Sequence, residues 1–326
     1  MNNDVLTKLQ KNRKDEENNM RILIVANYNT GSFSPFVREQ VDAITQYGVD
    51  VDFYGIQGKG IVGYLSNLKS LKNKIRVFRP DIIHAHYGLS GLLANLQRKV
   101  PVVTTYHGSD IHSKGRNLFF SRMSMWLSSY NIFVTEKLQK QAGYNGSKQC
   151  VLPCGVDTTT IYQIDRTDAR KQLGWRFDGK YVLFAGAFDN SVKNSPLAKE
   201  VVAKLKKVEL VEMRGFNRQQ VNLVINAADC LLMTSHREGS PQVIKEAMSC
   251  GTPIVTVNVG DVQERLNGID GCYVTKTYEP DELVEALLRA FNFKGRTAGR
   301  QAIFSAGLDN HQIAKRLVVI YKKCVK

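Results

Sequence analysis

Cys230-Leu231-Leu232-Met233-Thr234-Ser235-His236-Arg237-Glu238-Gly239-Ser240-Pro241-Gln242-Val243-Ile244-Lys245-Glu246-Ala247-Met248-Ser249-Cys250-Gly251-Thr252-Pro253-Ile254-Val255-Thr256-Val257 is the stretch that decides the fold. Cys230–Met233 and Ile254–Val257 are short apolar runs of strand length, and the segment between them is long enough for one helix. Ser240 reads as the helix N-cap and Pro241 as its first residue. Gly251 reads as a left-handed stop after Cys250, with Pro253 beyond it. Two strands joined by one helix make a βαβ unit, so the strands should lie parallel in a sheet covered on both faces.

The same alternation runs outward in both directions. Toward the N-terminus the strand candidates are Arg21–Ala26, Asp50–Tyr54, Ile82–Ala85, Val100–Tyr106, Asn131–Val134 and Cys150–Leu152. The second half offers Tyr181–Ala185, Glu209–Glu212, Cys230–Met233, Ile254–Val257 and Cys272–Val274. Helix-length segments such as Pro35–Tyr47, Leu197–Lys206, Asn217–Asn226 and Pro280–Ala290 separate them. The class is α/β, with two doubly wound, Rossmann-like blocks meeting near Gly155–Thr167. In an open parallel sheet, ligands bind beyond the carboxyl ends of the strands, so two such sheets are expected to face a central cleft. The expected division is a polar, disordered leader over 1–19, a first domain over 20–160 and a second over 161–309. A closing helix over 310–326 is assigned to the first domain.

Composition narrows the class of function. The 326 residues carry 45 Lys and Arg against 30 Asp and Glu. No run approaches the roughly 20 apolar residues of a membrane span, and the leader lacks the apolar core of an export signal. A cytoplasmic location is therefore expected, if need be peripheral on the inner face of the membrane. Six scattered cysteines read as reduced packing thiols. The positive excess is concentrated in two acid-free stretches. Phe53–Pro80 holds six Lys and Arg, and Ile111–Thr135 interleaves Lys114, Arg116 and Arg122 with Phe119, Phe120, Met123, Met125 and Trp126. Such stretches suit phosphates or an anionic membrane surface; a solvated basic face is the plain alternative. No nucleic-acid-binding motif accompanies them, so no nucleic-acid partner is expected.

The loop before the helix carries the chemistry. Glu238 and Glu246 would stand about 12 Å apart on one continuous helix and would not share a face. With Glu238 in the loop, both can flank one ligand, and the N–H groups of Gly239–Val243 favour an anion there. A phosphate at the helix start between two carboxylates describes a sugar–diphosphate–ribose ligand. An ordinary capped amphipathic helix, with Val243, Ile244, Ala247 and Met248 inward, is the competing account.

Glu, seven residues, Glu, followed by Ala247-Met248-Ser249-Cys250-Gly251-Thr252-Pro253, resembles the donor-site motif of the retaining glycosyltransferase family 4 (group 1), whose fold is GT-B. Other segments follow in that family's order. Leu152-Pro153-Cys154-Gly155-Val156-Asp157 is similar to its P-N-G-V-D turn, with Cys154 in place of Asn. Leu183-Phe184-Ala185-Gly186 with Lys193-Asn194 resembles its donor loop, and His107-Gly108-Ser109-Asp110 its H-G-x-D segment. The final helix resembles the one that crosses back to the first domain.

The resemblance implies roles for particular residues. Glu246 would hold the nucleotide ribose, Glu238 the donor sugar and Lys193 the diphosphate, beside Gly239, Ser240 and Pro241. His107 would bond the donor sugar near the reacting carbon, making His107 and Glu238 the catalytic candidates. Gly31 and Ser32, after the first strand, are the acceptor-side loop, where a plain turn is the alternative. His84 and His86 receive no role. Ala187 stands where the family often has arginine, leaving Arg214 or Arg237 to supply that charge. No metal-binding Asp-x-Asp motif is seen, so no metal and no cofactor are expected.

The implied reaction moves a sugar from a nucleotide-sugar donor to a glycan or lipid-linked acceptor, with retention, in cell-surface polysaccharide synthesis. A nucleotide-sugar epimerase of the same fold and a non-catalytic nucleotide-sugar binding protein are the alternatives. A dehydrogenase is disfavoured, since neither half has Gly-x-Gly-x-x-Gly after its first strand.

Overall fold

The computed structural model describes residues 19–112 and 115–325. The leader, apart from Asn19, and Lys114 lie outside them. In chain order the elements are β1 (Met20–Asn27), α1 (Pro35–Thr45), β2 (Val49–Ile56), α2 (Gly60–Leu65), α3 (Leu68–Phe78), β3 (Ile82–His86), α4 (Gly88–Asn95), β4 (Val102–Tyr106), α5 (Ser109–His112), α6 (Arg116–Leu127), β5 (Tyr130–Phe133), α7 (Glu136–Ala142) and β6 (Gln149–Val151). They continue with α8 (Arg166–Leu173), β7 (Lys180–Phe184), α9 (Ser195–Ala203), β8 (Val208–Glu212), α10 (Arg218–Ala227), β9 (Cys230–Met233), α11 (Gln242–Cys250), β10 (Ile254–Val257), α12 (Val262–Leu266), β11 (Cys272–Thr275), α13 (Pro280–Asn292), α14 (Gly299–Ser305) and α15 (Asn310–Val325). Each strand read from the sequence is present, with ends shifted by two residues at most.

Two parallel sheets result. The first runs β2-β1-β3-β4-β5-β6 and the second β11-β10-β9-β7-β8. Each reverses its winding direction once, between β1 and β3 and between β7 and β9, which makes these the two crevices for ligands. The chain divides into two compact units. Val134–Gln141 and Leu152–Ile313 form one; the other holds the residues up to Phe133, Ala142–Val151 and Ala314–Lys326. Thus α15 begins in the second unit and ends in the first.

The first unit has an apolar and a polar side to its central strand. Ile83 and Ala85 join Leu23, Val25, Leu71 and Leu93 in a buried cluster. Successive strand residues alternate in direction, so His84 and His86 face the other way. Both are fully buried. Hydrogen bonds link His84 Nδ1 to the Tyr321 hydroxyl at 2.6 Å and His84 Nε2 to Thr105 Oγ1 at 2.8 Å. The Tyr321 contact fixes the last helix onto the first sheet. Asp50-Val51-Asp52, an Asp-x-Asp within β2, is no metal site on this geometry, since Asp52 lies 2.5 Å from the Lys74 ammonium.

Helix α6 packs on α4 through unusually small side chains. A Cβ on Gly91 would lie 2.5 Å from Thr104 Cγ2 and closer still to Ser124 Oγ. The hydroxyls there are locked, with Thr104 Oγ1 and Ser128 Oγ at 2.8 Å and Ser128 donating to the Ser124 carbonyl at 2.8 Å.

Two outcomes follow from this packing. Gly91→Ala is expected to lower stability by about 1–3 kcal/mol through overpacking, read as a fall in the urea midpoint. The second concerns pH. Burial, aided by the charges of neighbouring histidines, holds His84 well below its usual pKa, and burial pushes His86 down to about 3. Below the unfolded value of ~6.5, the unfolded chain binds protons that the native state refuses, so stability falls as pH drops. The expected loss is about 1.4 kcal/mol per pH unit for each histidine, from ~6.5 downward. Urea titrations at successive pH values check this, and His84→Gln should show the shallower dependence.

Candidate functional site

The second crevice is built from the loops after β7 and β9. Gly186 lies two residues beyond β7, where a Cβ would stand 2.7 Å from Lys193 Cγ, so the lysine stem lies against bare backbone. Lys193 closes a short 3-10 turn over Ser191–Lys193. Its ammonium donates to Glu238 Oε1 at 2.7 Å, both side chains being about one-fifth exposed. The loops are also joined by their backbones. Thr234 donates its hydroxyl to the carbonyls of Lys193 and Asn194 at 3.0 and 2.9 Å, and the His236 N–H donates to Val192 O at 2.9 Å. Sequence reading had Lys193 and Glu238 as separate candidates; the structure brings them into one ion pair.

Helix α11 departs from its expected cap. It starts at Gln242, with Pro241 in the N-cap position and no side-chain cap bond. Ser240 is not the cap, because its hydroxyl donates to Asp261 Oδ2 at 2.8 Å. Asp261 also accepts from Arg265 Nε at 2.9 Å. Gly260, in the left-handed region at φ 61°, lies so close to Gly239 that a Cβ would strike its carbonyl oxygen. The loop Gly239–Ser240 is therefore braced from behind by Gly260–Asp261. With the helix start uncapped by a side chain, its first N–H groups are suited to an anion. Gly251 is the left-handed stop, at φ 64°.

Glu246 does not lie on a wet face. It is 5 % exposed, and Arg218 Nη2 sits 2.8 Å from its Oε1. Lys245 is also buried, donating to the Cys154 carbonyl at 2.6 Å; burial lowers its pKa. Gln242 donates to the neighbouring Gly155 carbonyl. Residues 244–250 are all buried, so beyond its first two residues α11 has no solvent side. Arg218, Lys245 and Asp261 were missed: a helical period gives no sign of Lys245 in a helix buried beyond its first turn, and Arg218 and Asp261 reach their partners from other segments. The proposed substitutes for the family arginine differ in setting. Arg214 pairs with Asp189 at 2.9 Å, whereas Arg237 is exposed.

The first unit has its own polar cluster at its crevice. His86 Nδ1 and His107 Nε2 are 3.0 Å apart, and His107 stacks near Tyr87 and Phe36 with centroids at 4.5 and 5.0 Å. Asp110, buried, accepts from the N–H groups of Gly108 at 2.9 Å, Gly88 at 3.1 Å and His107 at 3.2 Å. Burial raises its pKa while those bonds oppose the rise. The Asp of His107-Gly108-Ser109-Asp110 thus shapes the loop that carries His107. Tyr87 has φ 73° and ψ 150°, a conformation that costs a non-glycine residue about 1–3 kcal/mol and gathers at functional sites. Gly31, at φ 75°, closes a turn by donating its N–H to the Tyr28 carbonyl at 3.1 Å; Ser32 beside it is exposed. Among the described residues, no group of three or more His, Cys, Asp or Glu could hold a metal ion.

Comparison with known proteins agrees with this architecture. The profile described as Glycosyltransferase Family 4 matches residues 25–160, and that described as Glycosyl transferases group 1 matches residues 179–292. A protein named as the teichuronic acid biosynthesis glycosyltransferase TuaC of Bacillus subtilis is 29% identical over 251 residues, 68% of this chain and 64% of that protein. The chain thus spans less than two thirds of that relative's length. Sucrose-phosphate synthase from Thermosynechococcus elongatus has a TM-score of 0.80 at 16% identity, covering 93% of this chain and 98% of its own. HepE from Anabaena, in complex with UDP and glucose, has a TM-score of 0.74 at 18% identity, covering 92% and 98%. At these identities the solved structures speak to the fold, which is GT-B. With both halves of the chain matched by its profiles, the protein belongs to the group 1, family 4, glycosyltransferases.

Proposed function

We propose that the chain transfers a glycosyl group, with retention, from a nucleotide-diphosphate sugar to a glycan or lipid-linked acceptor in cell-surface polysaccharide synthesis. The observation that carries this reading is the set of Lys193, Glu238 and Glu246 around the uncapped start of α11, at the crevice of the second sheet. A cation and the free N–H groups of a helix start suit the diphosphate, and carboxylates suit sugar and ribose hydroxyls. Electrostatic stabilisation of the departing diphosphate then falls to Lys193 and the helix. The reading needs neither a metal nor a cofactor. The relative named for teichuronic acid biosynthesis supports the polysaccharide setting, and the neighbour held with UDP and glucose supports a nucleotide-sugar donor. In this reading the second unit binds the donor, the first serves the acceptor through the Gly31–Ser32 turn, and His107 acts on the donor sugar.

The test is a binding and turnover screen with UDP-, GDP- and ADP-sugars. Formation of a glycosylated acceptor supports the proposal, and interconversion of the donor alone would favour an epimerase. Because Glu246 is ion-paired with Arg218, Glu246→Gln is a cleaner probe than alanine. Losing a charged hydrogen bond to ribose is expected to weaken donor binding about tenfold to a hundredfold, while loss of the Arg218 pair lowers the melting temperature without unfolding the protein at assay temperature. Unchanged donor affinity in this variant sinks the donor-site assignment. His107→Ala is expected to lower kcat on the order of 10²-fold while nucleotide binding changes little. Parallel losses of stability and activity would instead make His107 a structural residue.

A further inference from the structure

Helix α6 is folded inside out. Its buried residues are Ser121, Ser124 and Met125, and the hydroxyls of the two serines meet Gly88 and Gly91 of α4. Four of its large apolar residues face water instead, while Leu118 and Phe120 are half-buried. Phe119 is 61 % exposed, Trp126 80 %, Met123 37 % and Leu127 38 %. These four stand at i, i+4, i+7 and i+8, one stripe along the helix. Hydrophobic burial would favour the reverse arrangement by about 1.5–3 kcal/mol per large side chain, so the stripe is held in water against its own hydrophobic preference.

The charges on the helix, and the basic character of the stretch of chain that contains it, bear on what the stripe meets. Arg116 and Arg122 are exposed on the same helix. Arg116 sits at the first helical position, where the positive end of the helix dipole disfavours a cation; its presence there does nothing for helix stability. From Phe53 to Thr135 the chain has eleven Lys and Arg and only two acids, Asp81 and Asp110. Asp110 is buried, and Asp81 accepts the Arg21 backbone N–H at 2.7 Å. A second copy of this chain would bring arginines against arginines. A surface with an apolar interior and an anionic skin complements both features. No helix among the described residues is long and apolar enough to cross a membrane.

We propose that α6 is an interfacial membrane-docking element, which sets Phe119, Met123, Trp126 and Leu127 into the headgroup region of an anionic lipid surface while Arg116 and Arg122 contact lipid phosphates. Aromatic residues anchor at that depth, and nearby cations add to the attraction. This goes beyond the transfer reaction and does not depend on it.

Flotation of the full chain with vesicles tests the idea, comparing phosphatidylcholine alone with phosphatidylcholine containing phosphatidylglycerol. Binding to the anionic vesicles only is expected at about 0.01 M salt, with loss at about 1 M, where the screening length shrinks from about 30 Å to about 3 Å. Arg116→Glu with Arg122→Glu should lower partitioning by more than about tenfold. Phe119→Ser with Trp126→Ser should do so comparably, and these exposed positions leave the buried serine face intact. Trp126 emission should shift to the blue on binding, and Trp126→Phe should bind yet lose most of that shift, since Trp175 is the other tryptophan and stacks on Tyr181. Failure to bind anionic vesicles at low salt would overturn the proposal. So would binding that all these variants retain, or variants that change only self-association in sedimentation.

Discussion

A parallel strand inside a sheet has both edges hydrogen-bonded and both faces covered, so little of it is left to meet a ligand. What remains is the loop at its carboxyl end, and chiefly the pair of loops where the winding reverses. Most of the candidate site residues of this chain answer to that constraint. In the second sheet the two loops carry Lys193 and Glu238; in the first they carry the Gly31 turn and Tyr87, with His107 just after the next strand over. The strands are mostly apolar runs with buried polar exceptions such as His84 and His86, and the candidate site residues are concentrated in short segments that the sheets hold still.

Holding them still is itself a polar task. Glu238 is drawn in by Lys193, Ser240 by Asp261, and the peptide before Val156 by Gln242 and Lys245. Buried charge of this kind adds little net stability, because desolvation offsets most of the attraction. Its better-attested contribution is to exclude alternative arrangements. The Lys193–Glu238 pair also balances two charges that the proposed ligand would need separately. A diphosphate that takes up Lys193 releases Glu238 toward sugar hydroxyls, so binding exchanges one set of charge-assisted bonds for another.

The sheets were legible in the sequence because most of the parallel strands are short, largely apolar runs set off by polar loops, and that signal is local. Cys230–Met233 and Ile254–Val257 have the ends read from their residues alone. The site was legible only in outline, since its decisive contacts are not local. Ser240 looks like an N-cap until Asp261, far along the chain, claims its hydroxyl. Glu246 looks solvated until Arg218 arrives from the preceding helix. Lys245 breaks the rule that lysine seeks water, and nothing in its neighbours announces the Cys154 carbonyl that receives it. His86 offered no sign of its bond to His107, which exists because β3 and β4 are adjacent.

Helix α6 shows the same limit from the other side. Its composition, aromatic and basic without acids, left two arrangements open, aromatics inward or outward. The choice was made in α4, where Gly88 and Gly91 admit only small side chains. Once those glycines approach α6, serines are the residues of α6 that fit beneath, and the rotation of the helix is determined. Phe119 and Trp126 are then exposed by geometry, however unfavourable their hydration. An element's outward face is thus dictated by its neighbour's smallest residues. Glycines in one helix can therefore place a hydrophobic stripe on the surface of another.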